Sequence, residues 1–140
     1  MRKMLTIVCV LSLLFSCKDG ANKSVEVNQM EKVMAIHDEV MPKMGKLGKL
    51  VAELKPKVDS TEMGLQYGDA MKDLQDSHES MMSWMQNFGK RFDHDEIMNG
   101  KKLTAQKAEW LNEEEESVKA LREQINSSIK KAELLLEKAN

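Results

Sequence analysis

From residue 24 onward the apolar side chains recur every three or four positions, the repeat of one helix face rather than the alternation of a strand. The first run predicts a helix over 24–55. One seam is Val27, Met30, Met34, His37, Met41, Met44 and Val51, with Gly48 in the gap. A second, beside it, is Val33, Ile36, Val40, Leu47, Leu50 and Leu54. Two adjacent seams make an apolar arc wide enough to touch two neighbours, as in a bundle. Pro42 has no N–H to give to the Asp38 carbonyl, so a kink is expected there, and Pro56 marks the end.

Asp59 followed by Glu62, or Ser60 alone, can cap a second helix that runs to about Asn87. Its face is Tyr67, Met71, Leu74, His78, Met81, Met85 and Phe88, and Gly89 is its expected stop. Residues 89–103 read as a polar connection pinned by Phe92, Ile97 and Met98. Thr104 can cap a third helix over about 105–138, with a seam of Leu111, Val118, Leu121, Ile125, Ala132 and Leu135. Glu115, Lys119 and Glu123 follow at i,i+4 on the opposite face, and Glu113–Glu116 reads as solvated charge near a helix N-terminus. Short connections make neighbouring helices antiparallel. The expected fold is therefore all-α, a three-helix antiparallel bundle with coiled-coil-like packing and a first helix kinked at Pro42.

The segment ahead of the helices has a different pattern. Arg2 and Lys3 precede an apolar run, Leu5 to Phe15, too short for the roughly 20 residues that span a bilayer. Small Ser16 and then Cys17 follow. Leu14-Phe15-Ser16-Cys17 resembles a bacterial lipobox, which implies cleavage before Cys17 and acylation of its sulfur. Several acyl chains at about 0.8 kcal/mol per buried CH₂ anchor a protein firmly. The expected organisation is a signal peptide over 1–16, lipidated Cys17 with a flexible tether over 17–23, and a helical domain over 24–140. The chain has 2 cysteines. Cys9 would leave with the signal and Cys17 would carry lipid, so no thiol remains for a disulfide or a nucleophile.

Composition sharpens this picture. Charged residues make up 31% of the chain and aromatics 4%, with 2 Pro and 7 Gly, a balance that favours helix over sheet. Residues 1–16 hold two bases and no acid, so residues 17–140 carry 19 basic and 23 acidic side chains, a net −4. That excludes the basic stripe of a nucleic-acid binder.

Three stretches resemble small lipoproteins of Bacteroidetes-type bacteria often labelled "viral A-type inclusion protein". They are Met30-Glu-Lys-Val-Met-Ala-Ile-His-Asp-Glu-Val-Met-Pro-Lys-Met44, Met81-Met-Ser-Trp-Met85 and Phe92-Asp-His-Asp-Glu-Ile-Met98. The resemblance covers most of residues 28–130. It implies an envelope location and a helical fold, and brings no activity. The lipobox resemblance likewise implies a lipid anchor in a diderm envelope, with the outer membrane as the expected site and the leaflet undecided by Lys18-Asp19-Gly20.

Ten methionines and three histidines lie beyond residue 16. His37 sits between Met34 and Met41, and His78 stands near Met81, Met82 and Met85. An antiparallel turn near residue 60 puts position 37 opposite about 83, drawing His37 toward Met82 and Met85, and His78 toward Met41 and Met44. Thioether and imidazole ligands suit Cu(I) or Ag(I). Against this stands ordinary packing, for which flexible Met is well suited. A haem between Met and His is a further alternative, without any Cys-x-x-Cys-His attachment. Asp93-His94-Asp95-Glu96 lacks EF-hand spacing and reads as a polar loop, and Trp84 and Trp110 read as packing residues at helix borders.

No nucleophile elbow, phosphate loop or His-Glu-x-x-His zinc motif occurs, and Asp38-Glu39 are adjacent and so face apart. The sequence therefore points away from an enzyme and from a bound cofactor. It points to a membrane-tethered structural or interaction module whose partner is another envelope protein, with a soft-metal binder as the alternative.

Overall fold

The computed structural model describes residues 18–138, and the described chain is all-helical, with no strand among those residues. The expected signal peptide and Cys17 lie outside them. Helix α1 spans Lys18–Val40, α2 Met44–Leu54, α3 Glu62–Arg91, α4 His94–Met98 and α5 Ala105–Glu137. Residues Met41–Lys43, containing Pro42, and Lys55–Lys57, containing Pro56, are single 3₁₀ turns. Each proline interrupts the α-helical ladder where its missing N–H requires it.

Three boundaries differ from expectation. Residues 18–23, read as part of a flexible tether, already belong to α1; extending a nucleated helix is cheap, and Gly20 and Asn22 do not end it. Thr61, not Asp59 or Ser60, caps α3: its hydroxyl accepts from Gly64 N at 3.0 Å. Asp59 braces that cap, accepting from Thr61 N at 2.9 Å and from the Thr61 hydroxyl at 2.5 Å. It crowds Gly64 so closely that a Cβ there would overlap its carboxylate. Gly89 does not stop α3, which continues to Arg91 before Phe92 turns to extended backbone.

Side-chain pairs fix the directions of the long elements. Gln29 reaches Asn112 and Glu115, and Lys43 reaches Asn126, so the α1–α2 arm and α5 run the same way. Arg91 reaches Glu113, Ser77 reaches Ser128 and Lys131 reaches Asp73, so α3 and α5 run oppositely. Helix α5 packs along α1 and α3, and α2 packs on both α3 and α5.

Of the two seams on the first arm, the second supplies most of the core, joined by buried Met30 from the first, while its own Ile36 is only partly buried. Val33, Val40, Leu47, Leu50 and Leu54 are buried, while Met34, Met41, Met44 and Val51 pack at its edge. The α5 seam of Leu111, Val118, Leu121, Ile125, Ala132 and Leu135 is buried throughout. Each fully buried aliphatic side chain contributes about 1.5–3 kcal/mol.

On α3 the anchors Tyr67, Leu74, Met81 and Phe88 hold, but the positions between them are Ala70, Ser77 and Trp84 rather than Met71, His78 and Met85. Small residues let α3 approach α5. Ser77 Oγ lies 3.0 Å from Ser128 Oγ and 2.7 Å from Asp73 O, so both buried hydroxyls are satisfied.

Candidate functional site

The methionine and histidine faces are divided between interior and solvent. Met81 is fully buried, and Met34, Met41, Met44 and Met85 pack against the core. Met82 and His78 are exposed. His37 is half-buried with Nδ1 2.9 Å from Asp38 Oδ1, and its ring stacks on Trp84 at 5.8 Å. That contact places position 37 beside 84, one residue from the expected register. From Trp84 the rings continue through Phe88, stacked on it as its i,i+4 neighbour, to Phe92 just past the helix end, which meets Phe88 at a tilt; each step is 4.9 Å between centroids.

Asp93–Glu96 is not a loose polar loop. Asp93 caps α4 and accepts from Glu96 N at 3.0 Å, while the Glu96 carboxylate accepts from Asp93 N at 2.8 Å. Glu96 is buried and accepts from Lys107 Nζ at 2.6 Å, and Lys101 Nζ pairs with Asp93 at 2.8 Å. Gly100 makes the turn into α5 with φ of 63°, a left-handed conformation suited to glycine. Among the described residues no group of three or more His, Cys, Asp or Glu is placed to hold a metal ion. No helix among them is long and apolar enough to cross a membrane.

A polar cleft of about 630 Å³ lies between α3 and α5, lined by Ser80, Trp84, Asn87, Lys90, Arg91, Glu113, Glu114 and Ser117. Glu114 belongs to the acidic run expected to be solvated, yet it is buried, only 4% exposed. Its neighbours Leu111 and Val118 belong to the core seam, three residues before and four after, so the helical repeat turns Glu114 inward. Arg91 Nη1 answers it at 3.0 Å and reaches Glu113 at 2.7 Å. The guanidinium lies over the Trp110 ring, 5.4 Å from its centroid. Burial pushes the Glu114 carboxyl above its ordinary range, opposed by Arg91 and by the nearby Trp84 indole. The indole N–H nevertheless makes no hydrogen bond. It is the single buried side-chain polar atom without a partner among the described residues. Such a donor costs about 1–3 kcal/mol.

Glu115 is drawn into the fold as well. Lys119 at 2.8 Å and Gln29 at 2.8 Å hold its carboxyl below the ordinary range. The site residues expected from the sequence therefore do not include the cleft. Its signal is the seven-residue step from Leu111 to Val118, which leaves a core position to be filled at 114 or 115.

Comparison with known protein families, characterised proteins and solved structures returns no match.

Proposed function

We propose that the protein is a lipid-anchored lipoprotein of the bacterial cell envelope, held at the outer membrane through Cys17, whose domain is an antiparallel three-helix bundle serving as a protein-interaction module. One observation carries the reading: Arg2-Lys3, the apolar run Leu5 to Phe15, Ser16 and Cys17 stand in lipoprotein order ahead of the helical residues. The up–down–up run of the α1–α2 arm, α3 and α5 supports the bundle. The engagement of Met34, Met41, Met44, Met81 and Met85 with the core supports packing over soft-metal binding.

Mass spectrometry of the full chain expressed in a diderm bacterium tests the anchor. The expected product starts at Cys17, carries acyl chains and sediments with membranes, and Cys17→Ala moves to the soluble fraction. An unmodified Cys17, or a Cys17→Ala chain still held by membranes, would defeat the proposal.

A further inference from the structure

The ten methionines beyond residue 16 fall into three tiers of exposure. Met30 and Met81 are sealed in the core, 3% and 0% exposed. Met34, Met41, Met44, Met71 and Met85 are partly buried and pack against it. Met63, Met82 and Met98 stand in solvent, 40%, 41% and 65% exposed. Packing accounts for the first two tiers and not for the third. Met63 lies in the first turn of α3, Met82 sits on α3 between buried Met81 and Trp84, and Met98 ends α4, where neighbouring Ile97 makes the core contact. Residues 18–140 contain no cysteine, so thioethers are the softest nucleophiles among them.

We propose that Met63, Met82 and Met98 are sites of reversible oxidation, through which the protein consumes hydrogen peroxide at its surface without unfolding. In each step a sulfur lone pair attacks one peroxide oxygen. The S–O bond forms as the O–O bond breaks, and the sulfur gives up two electrons. The departing hydroxide takes the proton of the transferred oxygen and leaves as water. The sulfoxide is polar. At the three solvent-facing positions its oxygen is hydrated, whereas at Met81 the same oxygen would be buried without a partner. Peroxide must also reach the sulfur, so Met30 and Met81 react only when the bundle opens. Exposure thus separates the sulfurs that are free to react from those that hold the core. This chemistry does not depend on the lipid anchor.

The test treats the full chain with hydrogen peroxide and follows each methionine over time by peptide mapping and mass spectrometry. Sulfoxide is expected at Met63, Met82 and Met98 at least about tenfold faster than at Met30 and Met81. Protein oxidised at those three positions should keep its thermal midpoint. Sulfoxide reductases acting on both epimers should return all three to thioethers. The combined variant Met63→Leu, Met82→Leu and Met98→Leu keeps the side-chain volumes. It should consume one equivalent less of peroxide in the fast phase for each sulfur removed. Equal rates at Met81 and Met98, a lowered midpoint once the three have reacted, sulfoxides that the reductases leave in place, or an unchanged fast phase in the variant would each overturn the proposal.

Discussion

Glu114 shows how one residue can oppose the general trend of the charges around it. Burial raises its carboxyl, so the folded state holds this proton to a higher pH than the unfolded chain does. Stability from this group is present below the unfolded value and is lost as pH rises through the folded one. Glu115 and Asp93 shift the other way, held down by hydrogen bonds from Lys119 and Lys101. Their contribution is present above the ordinary carboxylate range and is lost as pH falls. Glu114→Gln removes only the first effect. Urea unfolding of wild type and variant at about pH 4 and about pH 7 should therefore show the variant gaining relative to wild type at the higher pH. An identical difference at both pH values would contradict a raised carboxyl. Four consecutive glutamates hide this residue, because charge suggests solvent at every one of them. Only the phase of the Leu111–Val118 seam singles it out, and that phase does not choose between positions 114 and 115 without the neighbouring helix.

At the scale of elements, periodicity locates the helices, while their ends and facing depend on contacts. Tyr67, Leu74, Met81 and Phe88 are legible because seven-residue steps fix them. Between them, hydrophobicity favours Met71, His78 and Met85, whereas close approach of α5 selects Ala70 and Ser77, and the ring stack selects Trp84. Pro42 and Pro56 are legible because a missing N–H acts locally. Gly89 misleads, since glycine is permitted beyond a helix end without being confined there. It lies inside α3 with open space around its Cα and without positive φ. Gly89→Ala should therefore stabilise the protein by about 0.5–1 kcal/mol in chemical denaturation. Were Gly89 the left-handed terminus that its position in the sequence suggests, the same change would destabilise.

For the molecule as a whole, short connections suffice to predict the reversals, and two reversals return α5 parallel to the first arm. The methionines pose a question that only the assembled molecule can address. A metal that binds the folded state alone raises the thermal midpoint in proportion to the logarithm of its concentration over its dissociation constant. Such a site needs several sulfur and nitrogen donors around one point. Here Met81 is sealed in the core, while Met82 and His78 face solvent from the same helix. Packing then predicts a graded response to shape. Met81→Leu, close in volume, should cost less than about 1.5 kcal/mol. Met81→Ala should cost about 2–5 kcal/mol, because its cavity would lie where the helices meet. Silver(I), a stable stand-in for Cu(I), should leave the wild-type midpoint unmoved. A rise in wild type that Met81→Leu abolishes would instead mean that the sulfur is a ligand, since leucine preserves the packing and removes only the donor.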